Sequence, residues 1–191
     1  MKNGFEATRI ALQAMERLGM EFMVVGSLST MAYSIPRMTK DADVVLSIDQ
    51  GALRQLAEEL GEDFELDPQG SFEMVTGTLR HHLRIPSISF EIELFLLSSD
   101  PHDQARFSRK QSFFSRQLGM KTTIPTAEDV IVMKARWYGI AKREKDADDI
   151  REIIAVQEDI GLDWDYIHRW ADEHGTRELL GTIRASIPPI D

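Results

Sequence analysis

Cysteine is absent from this 191-residue chain. The absence excludes disulfides, a thiolate nucleophile and zinc sites with thiolate ligands. It also fits a reducing compartment, so we expect a cytoplasmic protein. The chain has no apolar run long enough to cross a bilayer, and charged residues interrupt its first nine positions. We therefore expect neither a membrane span nor a secretory signal.

The chain also has fewer basic residues than acidic ones. The chain has 22 lysines and arginines against 32 aspartates and glutamates, a net charge of −10. Proteins that bind nucleic acid through bulk electrostatics usually carry the opposite sign, so we expect no bulk DNA binding. The densest basic segment holds Arg106, Arg109, Lys110 and Arg116. We interpret it as a solvated helix end, with local RNA contact as the alternative.

Hydrophobic periodicity alternates between helical and strand patterns up to Pro125 and is helical beyond it. Helices are predicted over 6–18, 28–34 and 49–60, with a short one starting at Pro101. Predicted strands cover 22–25, 41–48, 64–66, 73–79 and 88–97, and 122–124 is expected to close the sheet. The prediction is an α+β fold, with a mixed sheet flanked by helices (1–124) and a helical C-terminal bundle packed on it (125–191).

Two aspartates on one predicted strand are the first chemical signal. Asp41 and Asp43 are two residues apart, so both carboxylates leave the same face of the strand. Like charges held this close repel each other, and a divalent cation relieves the repulsion. Mg²⁺ prefers oxygen ligands and is commonly completed by substrate phosphates. The pair therefore predicts a Mg²⁺ or Mn²⁺ site, although Asp-x-Asp alone is also common on exposed strands.

The segment before the aspartates strengthens this prediction. Gly26 and Ser27 lie where a buried strand turns into a helix, and free backbone N–H groups at such a turn attract anions. Glycine permits close approach of a phosphate, and the serine hydroxyl adds a hydrogen bond. Thirteen residues separate Ser27 from Asp41, enough for a short helix and a return to an adjacent strand. A nucleoside triphosphate with Mg²⁺ would satisfy both sites together.

A third carboxylate is expected because two-metal phosphoryl chemistry needs a bridging ligand. Glu91 and Glu93 share one face of the predicted strand over 88–97. We prefer Glu93, which lies deeper in the strand, and rank Glu91 next. The alternative is an outward strand face with solvated glutamates.

Three cations and a threonine complete the candidate site. Arg37 and Lys40 flank the aspartates and would either neutralise phosphate charge or pair with the carboxylates. Thr39 lies between them. Lys134 adjoins an apolar helical stripe, so it would contact the triphosphate or pair with Asp146 or Asp149 on the next helix. The two roles of Lys134 are compatible.

Residues 24–34 and 37–43 resemble the motif of the nucleotidyltransferase (DNA polymerase beta-like) superfamily. Within it the chain is most similar to minimal bacterial members of the AbiEii toxin type, whose tails resemble residues 127–134 and 143–150. The resemblance implies metal-dependent transfer of a nucleoside monophosphate from a nucleoside triphosphate to a hydroxyl group of RNA, a protein or a small molecule. It implies that phosphates are held by Gly26 and Ser27, that metal is bound by Asp41, Asp43 and Glu93, and that Lys134 contacts the triphosphate. The candidate catalytic residues are Asp41, Asp43, Glu93 and Lys134. Arg37 and Thr39 are further candidates for substrate binding, with a plain strand residue as the alternative for Thr39.

Glu93 takes a position where the family more often has aspartate, and it is also the candidate base for the attacking hydroxyl. The family further implies a toxin–antitoxin role, with an antitoxin partner or a homo-oligomer. One alternative is a catalytically inactive relative that binds nucleotide or a partner as a regulator or antitoxin. A plain interaction domain without a ligand is the third interpretation.

Overall fold

The computed structural model describes residues 3–157 and 160–188. Within this part the elements follow in the order α1 (Gly4–Arg17), β1 (Glu21–Val25), α2 (Gly26–Thr30), β2 (Asp41–Ser47), α3 (Gln50–Leu60), β3 (Glu65–Leu66), β4 (Ser71–Glu73), β5 (Thr78–Ile85), β6 (Phe90–Leu96), α4 (Pro101–Ser108), β7 (Gln111–Ser115), β8 (Met120–Ile124), α5 (Ala127–Ala141), α6 (Glu144–Gln157), α7 (Trp164–Glu173) and α8 (Arg177–Ala185). A 3₁₀ turn, Pro86–Ile88, precedes β6.

The main sheet has the strand order β1-β2-β6-β5-β3, and β4 also pairs with β5. The pairing of β2 with β6 is parallel, whereas β1 with β2 and β5 with β6 are antiparallel. Strands β7 and β8 form a separate antiparallel hairpin. The predicted α+β class with a mixed sheet is confirmed.

The sheet has one face in the hydrophobic core and one face that holds the charged residues. Ala42, Val44 and Leu46 of β2 and Ile92 and Leu94 of β6 are all buried. They belong to the same apolar cluster as the buried stripe of helix α1. Because side chains alternate along a strand, the residues between them point to the opposite face. That face is where the predicted carboxylates lie.

The C-terminal helices contribute to the same core. Val130 and Ile131 of α5 and Ile150 and Ile153 of α6 join the cluster formed by the sheet and α1. Thr126 caps α5 by accepting a hydrogen bond from the Asp129 N–H. Helix α5 also contacts α2, so it lies beside the turn that starts at Gly26. Among the described residues, no helix combines the length and apolar character needed to span a bilayer.

Two predicted strands differ from the structure. The segment 73–79 contains the turn between β4 and β5, where Gly77 has a φ of 69° that favours glycine. The true strand β5 is mostly polar, so its sequence lacks an apolar pattern. The segment 122–124 does not close the main sheet and pairs instead with β7 across a turn at Gly119. Its link to the main sheet is a hydrogen bond donated by the Thr123 hydroxyl to the Phe22 carbonyl.

The basic segment near α4 is not a solvated helix end throughout. Arg106 is buried and forms an ion pair with the buried Asp103. Lys110 pairs with Glu21 at 2.6 Å. The interpretation as solvated is therefore wrong for Arg106, because the helix turns this side chain towards an acidic partner three residues earlier.

Candidate active site

The predicted aspartates and the third carboxylate lie on one face of two adjacent parallel strands. Asp43 of β2 is directly opposite Glu93 of β6, and Asp41 is directly opposite Glu91. Asp41, Asp43 and Glu93 line one cleft, with a volume of about 220 Å³. Glu91 does not line this cleft. The structure therefore brings the preferred glutamate, rather than its neighbour, to the two aspartates.

Gly26 connects this carboxylate group to the end of β1. Its φ is 59°, and a Cβ atom on it would lie 1.8 Å from the Asp43 Oδ2 atom. The preceding residue, Val25, pairs with Asp43 in the strand register. Position 26 thus requires glycine for two reasons: its φ is positive, and the Asp43 carboxylate fills the space that a side chain would need. Ser27 is buried and lines the same cleft, so the turn and the aspartates converge as predicted from the sequence.

A Gly26→Ala substitution should therefore destabilise the protein by about 2 kcal/mol or more, because strain and overlap add. Gly181→Ala is the matched control, since that glycine lies in the interior of α8 with no atom near the added methyl group. Alanine in a helix interior should stabilise by about 0.5–1 kcal/mol. Urea denaturation of both variants measures the difference. Equal effects at the two positions would contradict the close contact with Asp43.

The electrostatics of the cleft suit a cation. Burial, followed by the negative charges of Glu93 and Asp41, raises the pKa of Asp43 from 3.8 to about 7. Among the described residues, no donor hydrogen bonds to the Asp43 carboxylate. The Asp41 carboxylate accepts one hydrogen bond, from the Thr39 hydroxyl at 3.0 Å. Carboxylate oxygens are the ligands that a hard divalent ion prefers.

The third carboxylate has a basic partner that the sequence did not indicate. Arg80 of β5 approaches Glu93 with its Nη1 atom 3.1 Å from Oε2. On the same sheet face, His82 Nδ1 lies 2.7 Å from Glu91 Oε1. His82, Glu91 and Glu93 offer ligand atoms within 4.8 Å of one another. The negative charge of Glu93 is therefore partly offset by Arg80, whereas Asp43 has no ion pair within the part of the chain that the structure describes.

Lys134 and Arg37 form one buried network with carboxylates of α6. Lys134 Nζ lies 3.0 Å from Asp146 Oδ1 and 2.7 Å from Asp149 Oδ2. Arg37 Nη2 lies 3.1 Å from Asp149 Oδ1 and 3.4 Å from the Ser27 hydroxyl. Lys134 lines the cleft, but Arg37 and Thr39 do not and instead contact residues that do. The exposed Lys40 takes no part in this network.

No protein-family model and no curated protein matches the chain. Solved structures do resemble it. A nucleotidyltransferase-like antigenic protein from Paracoccidioides brasiliensis aligns with a TM-score of 0.56 and 19% identity, covering 97% of this chain and 94% of that one. The antibiotic-resistance factor ANT(2'')-Ia aligns with a TM-score of 0.58 and 12% identity, covering 93% and 96%. Its complex with adenylyl-2''-tobramycin aligns with the same score and identity, covering 91% and 98%. This chain has the nucleotidyltransferase fold.

The predicted nucleotidyltransferase fold is thereby confirmed, whereas membership of the superfamily and the narrower similarity to AbiEii-type proteins stay predictions. The division of this nucleotidyltransferase fold at Pro125 and the roles of the individual site residues also stay predictions.

Sequence reasoning did not single out Arg80, Arg143 and Lys145, which are among the basic residues that line the cleft. Burial lowers the pKa of Lys145, as do the positive charges of Arg37 and Lys134, while Asp41 has the opposite effect. Lys145 has no ion pair within the described part of the chain. A signal for it existed in the tail segment 143–150, where Lys145 and Asp149 are four residues apart and so share a helix face.

Proposed function

We propose that this protein transfers a nucleoside monophosphate from a nucleoside triphosphate to a hydroxyl group and releases pyrophosphate. The main support is the convergence of Asp41, Asp43 and Glu93 on the cleft that Ser27 and Lys134 also line. The three carboxylates attract a cation, whereas the serine hydroxyl and the lysine ammonium group attract phosphate. ANT(2'')-Ia, which has a similar fold, has been crystallised with adenylyl-2''-tobramycin, a molecule that bears a transferred nucleotide. A nucleotide transfer by this chain would be of the same class.

In this proposal Asp41, Asp43 and Glu93 would hold Mg²⁺ or Mn²⁺. The bound ion would supply charge neutralisation for the phosphate oxygens during transfer. Other residues of the chain hold these carboxylates in position. Thr39 orients the Asp41 carboxylate through its hydroxyl, and Gly26 permits Asp43 to pack against the turn.

The triphosphate would lie between the turn and the C-terminal helices. Ser27 offers a hydroxyl, while Lys134 and Lys145 offer positive charge from α5 and α6. Asp149 holds Lys134 and Arg37 in fixed positions before substrate arrives. Such preorganisation lowers the cost of ordering side chains around the phosphates.

The chemical step joins the acceptor oxygen to the α-phosphorus and breaks the bond from that phosphorus to the oxygen bridging to the β-phosphate. The acceptor proton moves to a base, for which Glu93 is our candidate, and the bridging oxygen leaves with pyrophosphate. The acceptor, whether RNA, protein or small molecule, and the toxin–antitoxin role follow from the family resemblance alone and stay predictions.

One observation favours a second function. The Arg80 guanidinium occupies both oxygens of Glu93, at 3.3 and 3.1 Å, and so competes with a metal and with a proton. If this pair persists with nucleotide bound, the protein would bind a nucleoside triphosphate without transferring it. It would then act as a nucleotide-dependent regulator.

A labelling assay distinguishes the two functions. The protein is incubated with each α-labelled nucleoside triphosphate, Mg²⁺ or Mn²⁺, and cell extract as acceptor, while pyrophosphate release and nucleotide binding are measured separately. Metal-dependent labelling with pyrophosphate release supports the transferase. Calorimetric binding without labelling supports the regulator. Absence of binding contradicts both.

Lys145 provides a specific prediction for the transferase. Because Lys145 lines the cleft and has no ion pair within the described residues, Lys145→Ala should raise the KM for the nucleoside triphosphate about tenfold. The loss should be smaller for a nucleoside monophosphate ligand, which has fewer phosphates. Lys142→Gln is the control, since Lys142 ends α5 and does not line the cleft. Steady-state kinetics with both variants test this, and an unchanged KM for Lys145→Ala would contradict the assignment.

A further inference from the structure

The cleft has an aromatic wall at the end of α5. Trp137 lines it and is partly exposed, and within the described residues its indole N–H donates no hydrogen bond. The neighbouring Tyr138 is different, because its hydroxyl donates to Glu144 and its ring packs against the core. Of these two aromatic side chains, only the indole therefore lines the cleft, and within the described residues its donor is unused.

The position of Trp137 relative to the phosphate-binding cations matches the shape of a nucleotide. Lys134 and Trp137 are three residues apart on α5, so their side chains are neighbours on one face of the helix. Their backbone positions differ by about 4.5 Å along the axis. The distance from the α-phosphate to the base of a nucleotide is comparable, because one ribose separates the two groups. Phosphates beside Lys134 would therefore place the base beside the indole.

Arg143 lies on the other side of this surface. Its guanidinium carbon is 5.2 Å from the centre of the Trp137 ring, and its side chain is 55% exposed. It also pairs with Asp146, the residue that holds Lys134. One carboxylate thus contacts both the cation near the phosphates and the cation over the indole. Because a separation of 5.2 Å is too short for a flat ring to lie between the guanidinium and the indole, Arg143 must swing outward to admit a base, and its exposed side chain leaves room for this movement.

We infer that Trp137 and Arg143 form the nucleobase subsite, with the base stacked on the indole and covered by the guanidinium. This inference rests on the proposed function, because it assumes that the triphosphate occupies the adjoining part of the cleft. The indole has two fused rings and overlaps a purine more completely than a pyrimidine. ATP and GTP are therefore the expected ligands, in preference to CTP and UTP.

The test compares nucleotide binding in Mg²⁺ by calorimetry for the parent protein, Trp137→Leu and Trp137→Phe, with Tyr138→Phe as the matched control. Base stacking on an aromatic side chain corresponds to about a tenfold change in Kd, so Trp137→Leu should weaken ATP binding by that factor. Trp137→Phe should retain part of the affinity, and Tyr138→Phe should retain all of it. Inorganic tripolyphosphate, which has no base, should bind the parent and Trp137→Leu equally.

Fluorescence gives an independent readout. ATP should quench the indole emission of the parent protein and of Trp164→Phe, because Trp164 packs under Arg184 away from this cleft. The quenching should disappear in Trp137→Leu. If Trp137→Leu binds ATP as tightly as the parent, the inference is overturned while the proposed function stands. If the parent binds neither ATP nor tripolyphosphate, both are overturned.

Discussion

Asp43→Ala should abolish nucleotidyl transfer, with a loss of about 10³-fold or more in kcat. Asp43 faces Glu93 across the strand pair and touches the Gly26 turn, and no side chain of residues 3–157 and 160–188 donates a hydrogen bond to it. The substitution removes one of three carboxylates, the one that lies between Asp41 on its own strand and Glu93 on the neighbouring strand. Loss of a single electrostatic group in an active site commonly costs about 10²–10³-fold, and a shared metal ligand should cost at least as much. Pyrophosphate release under saturating nucleoside triphosphate and Mg²⁺ measures the change.

The matched control is Asp49→Asn. Asp49 is an exposed aspartate just beyond the same strand, and its side chain makes no cap hydrogen bond to α3. The variant should transfer nucleotide at the parental rate. Retention of activity in Asp43→Ala would contradict the proposed site, because the remaining two carboxylates would then suffice without the residue that adjoins the turn.

The same carboxylate should make the metal-free protein less stable as the pH rises. Burial, followed by the charges of Glu93 and Asp41, raises the pKa of Asp43 to about 7 from 3.8. Below pH 4 the group is protonated in the folded and unfolded chains, and it costs nothing. Between pH 4 and pH 7 the Asp43 carboxyl group is ionised in the unfolded chain but still protonated in the folded protein, so ionisation favours unfolding. Above pH 7 the folded protein bears the full cost, on the order of 4 kcal/mol.

Asp43→Asn removes this cost because the amide stays neutral. In EDTA, the variant should match the parent near pH 4 and exceed its free energy of unfolding at pH 8. Urea denaturation across this pH range measures the difference. Addition of Mg²⁺ should stabilise the parent and leave the variant nearly unchanged, since ligand binding to the native state shifts stability by mass action. Equal free energies of unfolding at pH 8 would show that Asp43 is not held in a repulsive, buried position.

Much of the fold was predictable because its signals are local. The periodicity of α1, the apolar run of β1 and the alternation in β2 each depend on residues close in the chain. Strand β5 escaped prediction for the same reason, since Arg80, His81 and His82 lack an apolar alternation. Its position follows from pairing with β6, a contact between segments that are separated along the chain. The hairpin of β7 and β8 likewise depends on where the main sheet ends.

The candidate site divides in a similar way. Gly26 with Ser27 and Asp41 with Asp43 were predicted, because each is a short motif with its own chemistry. The arginine that pairs with Glu93 was not predicted, and neither was Lys145. Both belong to elements whose distance from the carboxylates is set by tertiary packing, and the sequence shows only that they are basic.

By itself, the sequence determined that two carboxylates share a strand face and that a glycine turn precedes them, because the two-residue period of a strand is a property of the backbone alone. The tertiary structure decided which charges those carboxylates meet. Arg37 and Asp149, 112 positions apart, form an ion pair only because the chain folds α6 back towards the loop after α2. Partnerships of this kind arise from the path of the chain and the burial it imposes, and no local pattern encodes them.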